Sequence, residues 1–204
     1  DPLFTRDLFI NQYYIDQFVE RREQLLQEIL QSLDADSRAA LALIYMRNGR
    51  LESPVKLQLS ETQALERLGS DLGRCILALE ALRGSLVLFS HASGESAWQF
   101  KHPTIGDAYA TLLMQSPEHL DIFIQGSAPD RLIDQVTCGD VGLEKAIVVP
   151  KSLFPPMLAR LREMLQSRSY KTAWLSTFGA KRDLQGFLAN RCSKEFLSLY
   201  LKDN

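Results

Sequence analysis

The sequence predicts a mainly α fold in which a helical segment leads into a winged helix, three helices plus a two-stranded wing. A helical C-terminal region with at most one short strand follows. Three observations predict it. Apolar residues recur every three or four positions over most of the chain, the spacing of a helix face. Between Ser85 and Phe100 two short runs read as a strand and its return across a turn. Ser, Asp and Pro stand where helices would begin, and Gly where they would end.

In order, Tyr14, Phe18, Leu25, Ile29 and Leu33 define one face of a helix from about Asn11 to Leu33. Asp34-Ala-Asp36-Ser37 offers caps to a second helix, Ala39 to Met46, which Asn48-Gly49 stops. Ser53-Pro54 reads as a loop. Ser60 at N-cap with Gln63 three places on fits a capping box, and its helix ends at Leu68-Gly69. Ser70 or Asp71 then caps a helix whose inward stripe is Leu72, Cys75, Ile76, Leu79 and Leu82. Ser85–Ser90 and Ala97–Phe100 read as strands joined by the turn Ala92-Ser-Gly-Glu-Ser96. Helix, turn, helix and hairpin in that order make the winged helix.

Pro103 suits the first turn of the next helix, where its missing N–H costs nothing; that helix runs to about Gln115. Short helices are expected at Pro117–Ile124 and Pro129–Val136, a loop at Thr137–Gly142 and a strand at Ala146–Val149. Pro155-Pro156 opens an amphipathic helix, and Leu184 to Leu201 reads as helix in two pieces. The expected organisation is an N-terminal helical segment over 1–58, the winged helix over 59–116, a helical linker over 117–150 and a basic helical region over 151–204.

The chain has 204 residues and a net charge of −2, enough length to bury a core. No apolar run approaches the ~20 residues that cross a bilayer, so the expectation is a cytoplasmic protein with no membrane partner. Because it begins at Asp1 rather than Met, the chain is expected to be an excised part of something longer. Cys75, Cys138 and Cys192 are an odd, scattered set without Cys-x-x-Cys, which predicts small buried hydrophobes rather than disulfides or thiolate metal ligands. Charge is uneven. Residues 1–36 carry eight acids against three bases, whereas 144–204 carry five against eleven. Such asymmetry marks an acidic-partner or nucleic-acid surface, a solvated face, or a match between the two ends.

Several chemistries are excluded by motif. The phosphate-cradling Gly-x-x-x-x-Gly-Lys-Ser/Thr is missing, as are Gly-x-Ser-x-Gly, His-Glu-x-x-His and a dinucleotide glycine fingerprint. His91, His102 and His119 lack zinc-ligand spacing to one another. No catalytic residue, cofactor or metal is therefore assigned to this chain. Groove binding by the wing is disfavoured electrostatically, because phosphate neutralisation supplies most nucleic-acid affinity. Ser60 to Gln115 holds four bases against six acids, and the wing none between Ser85 and Gln99.

The segment Phe100-Lys-His102-Pro-Thr104-Ile105-Gly-Asp107-Ala-Tyr109 resembles the end of the winged helix in STAND-class P-loop NTPases, which include NACHT and NB-ARC proteins and many bacterial signalling and antiphage-defence proteins. The family pattern is Phe-x-His-x-Ser/Thr-Phe/Ile-x-Asp/Glu followed by an aromatic. Phe100, His102, Thr104, Ile105 and Asp107 fall on it, and Tyr109 supplies the aromatic one place late. Where plant and apoptotic relatives have Met-His-Asp, this chain has Lys101-His102-Pro103, so only the histidine carries over. The resemblance covers about Leu25 to Ser116. Weaker likenesses follow in Pro117–Phe123, Thr137–Gly139 and Phe187–Leu197.

The resemblance implies that His102 senses nucleotide, contacting the β-phosphate of ADP in an ATPase domain upstream of this chain. It makes Trp98 and Phe100 core residues, and ATP or ADP with Mg the ligand of the parent. Asp107 is expected to stabilise its helix N-terminus. A protein trigger or a second copy would be further partners. The alternative for His102 is a junction histidine bonded to nearby backbone. One alternative function is a nucleic-acid regulator using Arg160, Arg162, Arg168, Lys171, Lys181 and Arg182; another is a stand-alone interaction scaffold.

Overall fold

Helix-initiating carboxylates set the first elements. The computed structural model describes residues 21, 24–92, 94–143, 146–166 and 179–203, the side chains of 92, 179–182 and 203 excepted. Residues 24–32 are helical (α1); the earlier part of the expected Asn11–Leu33 helix lies almost wholly outside the described residues. Asp34 then caps α2 (Ala35–Met46), its Oδ1 accepting from the Ser37 N–H at 2.7 Å. The helix starts four residues before the apolar run because the cap, not the run, decides where the first turn closes. Ala39, Ala40, Leu41, Leu43 and Ile44 are all fully buried. A helix apolar on every side is one that protein surrounds on every side. Here α4, α6, β1 and β3 pack around it.

Asn48 and Gly49 adopt positive φ, 54° and 81°, and the Gly49 N–H returns to the Ile44 carbonyl at 2.9 Å. That left-handed reversal ends the helix and launches a strand the sequence did not predict, β1 (Arg50–Ser53). Only Leu51 of its four residues is fully buried. A single buried position is too short a period for a sequence signal.

The predicted capping box moves by two residues. α3 (Leu59–Arg67) is capped at Gln58, whose N–H donates to Glu61 Oε2 at 2.8 Å. Ser60, expected at N-cap, instead points its hydroxyl toward the Gly126 carbonyl at 3.4 Å. Glu61 sits in this place because Arg47 holds it, as detailed below. α4 (Leu72–Leu82) begins at the expected Asp71, which accepts from the Arg74 N–H at 3.0 Å. Cys75, Ala78, Leu79 and Leu82 are its buried face.

β2 (Val87–Ala92) and β3 (Glu95–Phe100) form the expected hairpin, in register from Val87 opposite Phe100 to Ala92 opposite Glu95. β1 adds to the far side of β3, with Leu51 opposite Trp98, giving the antiparallel order β1-β3-β2. Trp98 is buried and its ring lies 4.6 Å from that of Phe89, a cross-strand pair of the kind that steadies hairpins.

Pro103 opens α5 (Pro103–Gln115) and Pro117 opens α6 (Pro117–Gly126), each at a first-turn position. α7 (Pro129–Gln135) leads into β4 (Val136–Cys138), where a loop was expected. β4 pairs in parallel with β5 (Ile147–Val149), the expected strand. A two-stranded parallel sheet of three residues each cannot be read from periodicity; long-range pairing alone makes it. One 3-10 turn, Lys151–Leu153, precedes α8 (Phe154–Gln166). The tail folds as α9 (Gly179–Asn190) and α10 (Lys194–Asp203), the two expected pieces.

Cys138 continues the pairing to Cys192: its N–H donates to the Arg191 carbonyl and its carbonyl accepts from the Ser193 N–H, both at 2.8 Å. All three cysteines are free and buried, as small hydrophobes would be. Burial beside Cys192 pushes the Cys138 thiol far up, so it stays protonated. Phe154 and Phe196 meet edge to face, 5.1 Å apart, docking α10 onto α8. The described chain is thus mainly helical with two small sheets, and its buried side chains from Leu30 to Phe196 form one connected core.

Candidate functional site

The hairpin delivers His102 to the surface by a short, well-anchored path. Phe100 is the last paired residue of β3. Lys101 is tied back twice, its N–H to the Leu86 carbonyl at 2.9 Å and its ammonium to the Gly84 carbonyl. His102 follows with extended backbone, φ −145° and ψ 144°, as the N-cap of α5. Proline at the next position favours that extended conformation on steric grounds.

The imidazole is exposed, and its Nδ1 faces the helix it caps. Nδ1 accepts from the Thr104 N–H at 3.3 Å and stands 2.9 Å from the Thr104 hydroxyl. A ring nitrogen that accepts a backbone N–H carries no proton, so the neutral ring holds its proton on Nε2. The local fold thereby favours the tautomer that leaves Nε2–H as the donor on the other side of the ring. The contact with the Thr104 N–H is the one expected of a junction histidine bonded to nearby backbone. Asp107, by contrast, lies beyond the first turn of α5, which begins at Pro103. It is too far along to act on the helix N-terminus as expected; its charge instead helps to raise the nearby Tyr45.

Tyr45 is where the hairpin, α5 and α6 meet. Its ring centroid lies 6.4 Å from Phe100, 5.4 Å from Tyr109 and 5.5 Å from Phe123. Burial first, then Asp107, pushes its phenol up to about 12, so it remains neutral. Trp98 is buried and Phe100 half-buried, so both belong to the packing that holds the His102 junction.

Of the expected basic contact residues, the side chains of Arg160 and Arg162 are described, and the two face different ways. Arg160 has a side chain only 11% exposed, and donates to the Ser127 carbonyl and the Glu163 carboxylate. It serves as a tie between α8 and the end of α6 rather than as a contact for an outside phosphate. Arg162 is exposed and borders a groove with Pro155, Leu158, Leu199 and Lys202. Two residues apart on a helix is about 200° of rotation, which sends these arginines to different sides. Arg168 and Lys171 lie outside the described residues; Lys181 and Arg182 fall in α9 with side chains that are not described.

Two features escaped sequence reasoning. Arg47 and Glu61 form a part-buried ion pair, 14 positions apart, that no local pattern signals. Arg38, Arg67 and His119 come from three helices to border one cavity. Among the described residues no cluster of three or more His, Cys, Asp or Glu could hold a metal ion, and no helix is long and apolar enough to cross a membrane. The chain matches no family model, no curated protein and no solved structure with which it was compared.

Proposed function

We propose that the chain is the regulatory winged-helix and following arm region of a STAND-type signalling or antiphage-defence ATPase. In this reading His102 reports the nucleotide state of an ATPase domain that lies upstream, and couples ATP or ADP binding to assembly. The observation that carries it is the geometry of His102: an exposed imidazole whose tautomer is set by its own cap, with Nε2–H left to donate. Support comes also from the element order α2-β1-α3-α4-β2-β3 and the antiparallel β1-β3-β2 sheet, an arrangement expected of a winged helix with its wing.

The nucleotide, with Mg, would be held chiefly by the upstream domain; it would present a phosphate oxygen as acceptor. This chain's part is positional. Lys101 and Phe100 anchor the approach, Pro103 and Thr104 set the ring, and His102 offers one donor. A hydrogen bond to a charged group contributes about 1.5–3 kcal/mol, enough to bias a two-state domain rotation when present in one state only. The internal use of Arg160 favours this reading over the nucleic-acid regulator.

The test is made in the parent protein bearing the Gly-x-x-x-x-Gly-Lys-Ser/Thr segment. His102→Asn retains an N-cap acceptor but loses the ring donor. ADP affinity is expected to fall about tenfold or more, with unfolding temperature unchanged. Unchanged ADP affinity, or a gene that encodes no such segment upstream, would overturn the proposal.

A further inference from the structure

A cavity of about 310 Å³ lies where five helices converge, at the edges of α1, α2, α3, α5 and α6. That is the size of a small-ligand pocket, the usual range starting near ~300 Å³. Its walls are apolar: Leu30 and Leu41 are fully buried, Leu113 nearly so, and Leu112 and Leu68 complete the surface. The charges along it are those of arginines. Arg38, Arg67 and His119 border it, and no Asp or Glu does.

The two arginines differ in their state. Arg67 is held by Asp121 at 2.7 Å, a carboxylate that is not part of the lining. Arg38 is exposed, one turn into α2, and no ion pair joins it to a carboxylate among the described residues. Tyr109 lines the same space, only 8% exposed; desolvation pushes its phenol strongly up, so its hydroxyl stays a neutral donor. Gln31 and Gln115, 3.4 Å apart, link α1 to the end of α5 along one side.

An apolar chamber whose charged lining is wholly basic suits a ligand with an apolar body and an anionic head. A purely polar anion would leave the leucines in contact with water. A neutral hydrocarbon would gain nothing from Arg38. We propose that this cavity is a binding site for a small organic anion, an aryl or short-chain carboxylate or sulfonate, anchored by Arg38. The site uses none of the His102 machinery, so it stands or falls separately from the proposed function.

The probe is 8-anilinonaphthalene-1-sulfonate, whose fluorescence rises on leaving water, titrated into the full chain at low salt. Wild type is expected to show saturable single-site binding that weakens with added salt. Arg38→Glu should weaken it about tenfold and Arg38→Lys by much less, the difference expected of a charge-assisted contact. Ala35→Trp, at an exposed lining position, should block binding by filling the chamber. Naphthalene-1-sulfonate should compete and neutral 1-naphthol should not. Circular dichroism confirms that each variant is folded. Equal binding by wild type, Arg38→Glu and Ala35→Trp would place the dye on exposed leucines elsewhere and overturn the proposal. Competition by naphthol as strong as by the sulfonate, or no saturable binding at all, would overturn it equally.

Discussion

Arg47 Nε donates to Glu61 Oε1 at 2.7 Å, and Nη2 donates to Glu61 Oε2 at 2.7 Å, a two-pronged pair with side chains only 14% and 7% exposed. The pair closes the loop between α2 and α3. Arg47 also donates to the Lys56 carbonyl at 2.6 Å, while Glu61 accepts from the Gln58 N–H. Glu61 raises the Arg47 pKa, chiefly by that hydrogen bond. Removing either partner leaves a half-buried charge without its hydrogen bonds, at a cost of about 1–3 kcal/mol. Arg47→Met and Glu61→Gln should each destabilise by amounts of that order in urea unfolding. The double variant should lose much less than the sum of the two; full additivity would show that the pair is not coupled.

Gly126 and Gly186 are both helical and should respond to alanine in opposite directions. A Cβ on Gly126 would stand 2.7 Å from Ala64 Cβ and 2.9 Å from Met46 Cε, where α6 crosses α3 and α2. The Ala64 contact is fixed to a helix backbone and cannot swing away. Gly126→Ala should therefore cost about 1–3 kcal/mol, the usual penalty of overpacking. A Cβ on Gly186 meets nothing within 4 Å in the interior of α9. Gly186→Ala should add about 0.5–1 kcal/mol through helix propensity. Thermal unfolding of the two single variants checks both signs.

Asp34 and Asp71 make stability depend on pH in the acid range. Both carboxyls are held below the usual value, first by the backbone N–H each accepts, from Ser37 and Arg74. A depressed folded pKa means that the unfolded chain binds more protons, so stability rises with pH. The contribution is complete above the ordinary value near 3.8 and is lost as pH falls through the lower folded values. Urea midpoints should therefore drop as pH is lowered through that window. In Asp34→Asn, which keeps a capping oxygen but has no charge to titrate, the drop should be shallower. An identical pH profile for the variant would rule out this role for Asp34.

His102 offers a stability contrast in the isolated chain that needs no nucleotide. His102→Ala removes the acceptor for the Thr104 N–H, and should cost about 0.5–1 kcal/mol. His102→Asn, a favoured N-cap, should restore wild-type stability. If alanine and asparagine are equally stable, the cap contributes nothing and the tautomer argument loses its basis.

Local chemistry determined the elements. Asp71, Pro103 and Pro117 each start a helix where the sequence places them, and Asp34, among the caps it offered, starts α2 four residues early, because capping and first-turn preferences need only the neighbouring residues. The β2–β3 hairpin was legible for the same reason, as two short strand-like runs joined by a short turn. Gln58 replaced Ser60 as a cap, and Arg50–Ser53 and Val136–Cys138 became strands, through partners far along the chain. Glu61 answers to Arg47, Leu51 to Trp98, and Cys138 to Val149 and Cys192. The candidate site divides the same way. His102, its proline and its threonine are adjacent in sequence and were visible there. The free side of the ring follows from its cap on Thr104, two residues on, whereas the inward turn of Arg160 and the meeting of Arg38, Arg67 and His119 around one cavity were decided only by packing. Pairing and burial depend on which distant surfaces come together, and no local spacing carries that information.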